Sequence, residues 1–429
     1  MVRSTDSSAR SRALRWLALA VALVAALALA ACGGDSGGGD SGGDGGSASS
    51  SSSSSKPLVI ANLEGPLADG GPDWTKGMEI AAREINDAGG VDGRPIEIRT
   101  FKKGLTAQES VEAYREAASD DDVLAAWVGG GGGLAIKAQA DRVRLPFLAS
   151  VGRIDLVEPV NPYAFAVSFN GEYATSAVSW AVANRGTRKI GVLHYETDFS
   201  EGLTPAIQRR CEELGCEVVS EQRASLDDSV DALIPQLTAL KNSGADTYYI
   251  ESLNPNAAKA ARQLGMFDKP VITEQWLTVL AIAQATGKAA ETMVFGAHKC
   301  RAPEVVARDD ETRRWCEEYM AKFRAAYPGE PFALYSIYGN DAVNMFADAA
   351  RRAMAAHDGD VDRESLREAL EQFDGHGLRT SHGLVKSSPE NHSLVGTWKQ
   401  AYVDLTIKAD GRSIRYVLAP GADPAGATP

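Results

Sequence analysis

The feature that most constrains the fold is a regular alternation of short β-rich runs with amphipathic helices along residues 58–300. Residues 58–63 are typical of a buried strand, and Met78, Ala81, Ala82 and Ile85 then recur at the spacing of one helical face. The pattern repeats, with further strands predicted at 96–101, 123–128, 146–150, 189–194, 217–220, 247–251 and 270–273. Such alternation predicts an α/β fold with parallel sheets covered by helices on both faces.

The alternation divides into two doubly wound lobes of similar architecture. After a strand-like run at 293–298, the sequence predicts long helices at 310–327 and 334–356, a shorter helix at 363–373 and a β-rich tail over 383–418. These late helices do not belong to a further α/β lobe, so we expect them to pack on the first lobe. The segments of chain that cross between the lobes would then form a hinge. We therefore predict lobe 1 over 57–168 and 297–382, lobe 2 over 169–296, and a crossover with a tail on lobe 2 over 383–429.

The N-terminus has the organisation of an exported lipoprotein. Arginines precede an apolar run over residues 16–31. Residues 29–32, Leu-Ala-Ala-Cys, resemble the bacterial lipobox. In a lipobox the cysteine is acylated, and here that cysteine is Cys32. An uncleaved anchor helix is the alternative, although the run is short for a permanent span. The Gly, Ser and Asp residues over 33–55 are typical of a flexible tether with a root-mean-square reach of about 25 Å. We predict a signal peptide over 1–31, a lipidated Cys32 with its tether over 32–56, and a body outside the cytoplasm.

Composition and motifs exclude several classes of function. The formal net charge is −13 and no basic block is present, which argues against nucleic acid as a partner. The histidines fall in no HExxH arrangement, no G-x-S-x-G is present, and the serines have no recognisable His and Asp context. We therefore expect no catalytic residue, no metal site and no cofactor, and a protein that is not an enzyme.

The four cysteines after Cys32 are expected to form two disulfides. Gly215 is predicted to end a helix in the left-handed conformation, which would pack Cys216 back on Cys211. Cys300 and Cys316 would then be the second pair, and closing that loop contributes about 3 kcal/mol in a chain-entropy estimate. Four free thiols are the alternative, because spacing alone does not establish geometry.

The segment WVGGGGGLA over 127–135 places five glycines between a predicted strand and a predicted helix. A loop of this kind can direct backbone N–H groups onto an anion. Gly130, Gly132 and Ala135 also satisfy the dinucleotide pattern G-x-G-x-x-G/A, with Asp155 following Ala135 by 20 residues. Five consecutive glycines satisfy many patterns, and a body outside the cytoplasm has little access to NAD or ATP. A cofactor site is therefore not favoured.

Several motifs together resemble the leucine/isoleucine/valine-type periplasmic binding proteins of ABC transporters. The most specific is INDAGGVDGRPIE over 85–97, and similar matches occur at 65–67, 77–84, 128–129, 145–147, 198–202, 265 and 340–342. The resemblance covers nearly all of the chain after the tether. It implies a type I binding fold of two Rossmann-like lobes with three crossovers, closing as a monomer on a small solute and delivering it to permease subunits. A ligand sensor built on the same fold is the alternative.

The resemblance also implies a ligand-binding set on lobe 1. In relatives, a residue after the Val-Gly pair, which is residues 128–129 here, usually binds a ligand carboxylate through its hydroxyl. Gly131 and Gly132 have no hydroxyl and offer only N–H groups. A second segment of the family, Ser-x-Ala-Thr, reads SVGR over 150–153, so that Gly152 and Arg153 replace its last two residues. Arg153 would hold a carboxylate by a bidentate pair, or it is a solvated loop arginine.

On lobe 2, Phe199 matches an aromatic position over the ligand, and Glu274 falls where an acidic residue takes the α-ammonium of an amino acid. The alternative for Glu274 is a surface charge at a strand end. Tyr335 and Trp74 lie in regions that supply apolar walls in relatives. Weaker candidates are Glu251, Asn254 and Trp276. An anion-binding group opposite a cation-binding group suits an amino acid with an apolar side chain, with an aromatic carboxylate or an amide as alternatives.

Overall fold

The computed structural model describes residues 56–427 apart from 67–70, 105, 169–171, 197–199, 226, 252–253, 275–278, 396–397 and 411. The predictions made for Cys32, Phe199 and Trp276 lie outside the described residues, as do the signal peptide and the tether up to residue 55. Within the described part of the chain, no helix is long and apolar enough to cross a membrane.

A five-stranded parallel sheet forms the centre of lobe 1. Its strands are β1 (Leu58–Glu64), β2 (Ile96–Lys102), β3 (Val123–Gly129), β4 (Phe147–Ser150) and β5 (Ala164–Ala166), in the order β2-β1-β3-β4-β5. The helices between them are α1 (Gly71–Asp87), α2 (Ala107–Ala118) and α3 (Gly133–Val143). All seven residues of β3 are buried, as expected of a central parallel strand with helices on both faces.

A seven-stranded sheet forms the centre of lobe 2. Five strands are parallel: β6 (Lys189–Tyr195), β7 (Glu217–Ala224), β8 (Thr247–Ile250), β9 (Val271–Glu274) and β10 (Val294–His298). The helices among them are α4 (Ser176–Arg185), α5 (Leu203–Leu214), α6 (Val230–Asn242), α7 (Pro255–Gln263) and α8 (Val279–Thr286). The predicted α/β class with mainly parallel sheets is confirmed.

Three late helices share one hydrophobic core with lobe 1. They are α9 (Glu311–Ala326), α10 (Ser336–Ala356) and α11 (Arg363–Leu370). Phe323 and Phe346 from these helices lie in the same buried cluster as Ile60 and Trp127 of the first sheet. Fifteen residues of α10 are buried, which explains why its sequence is apolar around much of its circumference.

The chain returns to lobe 2 later than the predicted boundary at residue 383. Strands β11 (Asp374–Thr380) and β12 (Gly383–Lys386) form an antiparallel hairpin, and Val385 and Leu394 belong to the core of lobe 1. Helix α12 (Trp398–Ala401) and the strands β13 (Tyr402–Ala409) and β14 (Ile414–Leu418) then complete the lobe 2 sheet, with β13 antiparallel to β10. The predicted boundary therefore falls inside the hairpin and leaves β12 with lobe 2, because the strand pattern does not specify which core the hairpin covers.

The four cysteines of the body form two disulfides in the structure, Cys211–Cys216 and Cys300–Cys316. Gly215 ends α5 in the left-handed conformation with φ 73°, and the N–H of Cys216 donates to the carbonyl of Cys211 at 2.9 Å. This helix ending is the local reason that two cysteines five residues apart approach each other.

Candidate functional site

The segments that follow the carboxyl ends of β4 in lobe 1 and β6 in lobe 2 approach each other, and we call the region between these strand ends the cleft. Arg153, beyond the end of β4, extends to lobe 2, where a Cβ placed on Gly202 would lie 3.2 Å from its Cγ. On the lobe 2 side, β9 ends at Glu274. Ligands of open α/β sheets bind outside the carboxyl ends of the strands, so this cleft is the candidate site.

Trp74 lies on α1 and packs its indole against the end of β3. The side chain is only 3% exposed, and its ring centroid is 5.5 Å from that of Trp127. A Cβ on Gly129 would lie 1.3 Å from Cε3 of Trp74, so the ring occupies the space that a side chain at position 129 would need. The indole Nε1 is buried and has no acceptor among the described residues. Trp74 is therefore a wall of the loop that follows β3.

The glycine loop connects β3 to α3, and two of its glycines have a left-handed backbone conformation. Gly130 and Gly132 have φ of 71° and 89°, in the left-handed region that favours glycine. Gly132 is the N-cap of α3, and a Cβ there would lie 2.2 Å from Oγ of Ser110. The carbonyl of Gly131 accepts a hydrogen bond of 3.2 Å from Nζ of Lys103. The N–H of Gly130 donates to the carbonyl of Ser150 at 3.3 Å, and the loop lies at the N-terminus of α3 with a buried lysine beside it.

Gly152 and Arg153 form the segment after β4. Gly152 has φ 71°, and Arg153 is the N-cap of a 3₁₀ turn, Ile154–Leu156. The Arg153 side chain is 18% exposed and forms an ion pair with Asp155. A ligand carboxylate at Arg153 would therefore share the guanidinium with Asp155.

Glu274 is fully buried at the end of β9, with 0% exposure, so it is not a surface charge. Its Oε2 accepts a hydrogen bond of 3.0 Å from the hydroxyl of Tyr249. Burial of a carboxylate in this way is costly unless an opposite charge or hydrogen bonds compensate.

Tyr335 immediately precedes α10, on the lobe 1 side of the cleft. Its ring stacks with Tyr338 at a centroid distance of 6.1 Å. Burial raises the pKa of the Tyr335 phenol well above its usual value; Arg301 opposes that rise, and Glu274 and Asp73 add to it. The phenol therefore lies within the electrostatic field of the lobe 2 carboxylate.

Of the weaker candidates, Glu251 is the more prominent in the structure. It is 2% exposed; its Oε1 accepts from the Ser200 hydroxyl at 2.6 Å and its Oε2 from the N–H of Tyr195 at 2.8 Å. Asn254 caps α7 by accepting from the N–H of Ala257 at 2.9 Å. Asn254 is therefore a helix cap, whereas Glu251 is a second buried acid beside Glu274.

Sequence reasoning missed a buried polar cluster where the chain crosses between the lobes. Asp341 of α10 accepts from the N–H and the hydroxyl of Ser381, and Nδ1 of His382 lies 3.3 Å from its Oδ2. The rings of His382 and His298 have centroids 5.0 Å apart, and His298 ends β10 of lobe 2. Burial raises the pKa of Asp341 to about 7 and lowers that of His382 to about 3. The sequence contained one signal for this cluster, because Asp341 is an acidic residue on an otherwise apolar face of α10.

Metal-ligand atoms of His298, Cys300 and Cys316 lie within 4.8 Å of one another in the described part of the chain. The two sulfurs are bonded to each other in the disulfide, so neither is available as a thiolate ligand.

Comparison with known proteins gives a consistent family and fold. The periplasmic binding protein family matches residues 58–412. The Leu/Ile/Val-binding protein homolog 1 of Brucella suis biovar 1 is 25% identical over 314 residues, which is 72% of this chain and 80% of the relative. A leucine-, isoleucine-, valine-, threonine- and alanine-binding protein of Pseudomonas aeruginosa is 21% identical over 313 residues, 71% of this chain and 79% of the relative.

Solved structures share the architecture. A leucine-binding protein of Thermotoga maritima MSB8 superposes with a TM-score of 0.66 at 21% identity, covering 84% of this chain and 97% of that structure. A branched-chain amino acid transporter substrate-binding protein of Streptococcus pneumoniae, solved with isoleucine, superposes with a TM-score of 0.64 at 19% identity, covering 85% of this chain and 99% of that structure. The two-lobed architecture matches that of solute-binding proteins.

Proposed function

The chain belongs to the periplasmic binding protein family, of the leucine/isoleucine/valine type, and on that premise we propose that it captures an amino acid with an apolar side chain for an ABC importer. The observation that carries the proposal is the buried carboxylate of Glu274 at the end of β9 in lobe 2, together with the reach of Arg153 from lobe 1 to Gly202 of lobe 2. A cation-binding group on one lobe and an anion-binding group on the other suit a zwitterion.

Each cleft residue has a separate role in this proposal. Glu274 binds the α-ammonium, and Arg153 binds the carboxylate together with the N–H groups of the glycine loop. Trp74 and Tyr335 form apolar walls for the side chain. Phe199, by its resemblance to the family position, covers the ligand from lobe 2. The solute then stabilises the closed lobes by contacting both of them.

We also propose a location for the protein and the partners that receive its solute. Cys32 is acylated, the tether holds the monomeric body outside the cytoplasmic membrane, and permease subunits receive the solute from the closed form. Labelled fatty acid should appear on the wild-type protein and be lost in Cys32→Ala. Secretion of the two proteins in the same unlabelled form would contradict lipid anchoring.

A thermal-shift screen of the body with amino acids, aromatic acids and amides tests the ligand class. A ligand at 100 times its dissociation constant should stabilise the protein by about 2.7 kcal/mol. Glu274→Gln and Arg153→Ala should each weaken the selected ligand by more than about tenfold, since each removes a charged hydrogen-bond partner worth roughly 1.5–3 kcal/mol. Glu217→Gln is the matched control, because this exposed acid begins β7 at the end of lobe 2 away from the cleft.

The pattern of losses separates the ligand classes. If Glu274→Gln leaves affinity unchanged while Arg153→Ala abolishes it, the amino acid is wrong and an aromatic carboxylate is the ligand. If neither variant differs from Glu217→Gln, the cleft residues proposed here do not bind the solute.

A further inference from the structure

Lobe 2 places a second buried carboxylate directly beside the proposed ammonium site. Strands β8 and β9 are parallel, with Tyr248 opposite Val271 and Tyr249 opposite Ile272. Glu251 directly follows β8 and Glu274 ends β9, so the two acids lie at the same end of neighbouring strands, where each is within the other's electrostatic field. Like charges on neighbouring strands repel, and burial prevents water from screening them.

The two hydrogen-bond partners of Glu251 are compatible with both the carboxylate and the carboxylic acid. The N–H of Tyr195 can only donate, so it holds Oε2 as an acceptor. The Ser200 hydroxyl, 2.6 Å from Oε1, can donate to a carboxylate or accept from a carboxylic acid by rotating its proton. A proton on Oε1 therefore leaves neither oxygen of Glu251 without a partner.

The electrostatic surroundings of Glu251 favour the protonated form of its carboxyl group over the charged form. The titratable and charged groups around the pair are Tyr195 of β6 with Asp228, Tyr249 of β8, and Arg301, which contacts Tyr416 of β14, all in lobe 2, and Tyr335 with Asp73 in lobe 1. Among the described residues, no lysine or arginine forms an ion pair with Glu251. Burial and the charge of Glu274 raise the pKa of Glu251 to about 8, against the opposing effect of its two hydrogen bonds.

We propose that Glu251 holds a proton in the ligand-free protein and releases it to solvent when the solute's ammonium binds at Glu274. The step involves only the O–H bond at Oε1 of Glu251, whose proton leaves to water as the ammonium supplies the compensating positive charge. This inference rests on the proposed function, and it makes solute capture dependent on pH.

Titration calorimetry of the mature chain with the amino acid selected by the screen tests the coupling. At pH 7, the binding heat should differ between phosphate and Tris buffers by an amount that corresponds to release of about one proton, and affinity should rise by up to about tenfold per pH unit from pH 6 to 8. In Glu251→Gln the proton release and the pH dependence should both disappear while binding persists. Glu217→Gln should behave as the wild type does. A wild-type binding heat that is independent of the buffer overturns the inference and leaves the proposed function intact.

If no amino acid binds, the proposed function fails, and the proton on Glu251 is tested in the empty protein. A carboxyl group with a raised pKa in the folded state binds more protons there than in the unfolded state, so its contribution to stability falls as pH rises from about 5 to 8. The wild type should therefore lose stability relative to Glu251→Gln over this range. A stability difference that stays constant with pH overturns the inference.

Discussion

Two neighbouring glycines should respond in opposite ways to the same substitution. Gly132 has φ 89°, and a Cβ there would lie 2.2 Å from Oγ and 2.4 Å from Cβ of Ser110. Gly131 has φ outside the left-handed region, and no atom of the described residues lies within 4 Å of a Cβ placed on it. Position 132 therefore requires glycine, whereas position 131 has room for a side chain.

The magnitudes follow from these two environments. Gly132→Ala should cost about 1–2 kcal/mol for the left-handed backbone and about 1–3 kcal/mol for the clash with Ser110. Gly131→Ala should stabilise by about 0.4–1 kcal/mol, because it restricts the unfolded chain without straining the folded one. Urea denaturation with unchanged m-values measures both effects. Equal destabilisation by the two substitutions would refute this description of the loop.

Gly131→Ser extends the same prediction to binding. The serine restores the hydroxyl that relatives place after the Val-Gly pair, and one added hydrogen bond is worth about 0.5–1.5 kcal/mol. A ligand carboxylate at this loop should therefore bind about two- to tenfold more tightly, with Gly131→Ala as the control for the added Cβ. If Gly131→Ser folds normally and does not improve on Gly131→Ala, the loop does not receive the carboxylate.

Two further predictions concern stability. Replacing Cys300 and Cys316 by serine should lower the free energy of unfolding by about 3 kcal/mol, measured by urea denaturation against the wild type, because the disulfide closes a loop with a sequence separation of 16. Asp341, whose pKa burial raises to about 7, binds more protons folded than unfolded, so wild-type stability should fall as pH rises from about 4 to 7. Asp341→Asn should remove that part of the slope in Tm against pH, and an unchanged slope would show that Asp341 does not carry it.

Much of the fold follows from local patterns in the sequence. The strands β1 and β3 and the helix α10 were predicted within a few residues, because each combines a long apolar pattern with a clear boundary. The predicted boundary at residue 383 divides the hairpin, because it leaves β11 in lobe 1 and assigns β12 to lobe 2, although Val385 of β12 packs in the core of lobe 1. Its strands are interrupted by glycines at 375, 377 and 383, and short strands of this kind are stabilised by a partner that their own sequence does not identify.

The site was less predictable because its geometry depends on elements far apart in the chain. Nothing local to Arg153 indicates that it reaches Gly202, since that approach depends on a residue of the other lobe. Glu251 was only a weak candidate, although it directly follows a parallel strand next to the strand that ends at Glu274. The parallel pairing of β8 with β9, in which Tyr249 is opposite Ile272, brings the ends of these two strands to one edge of the sheet, and single-strand patterns do not reveal this pairing.

The paired acids also give a physical reason for closure to depend on the solute. Glu251 and Glu274 are 2% and 0% exposed, so while Glu251 is protonated the pair carries one negative charge from which water is excluded, and burying that charge is costly. On the proposed assignment, an ammonium bound at Glu274 offsets that cost only when the lobes are closed, and it therefore binds the closed state more tightly than the open state. A ligand shifts a conformational equilibrium by this difference in affinity alone, so a solute without a cationic group should bind weakly and should leave the lobes open.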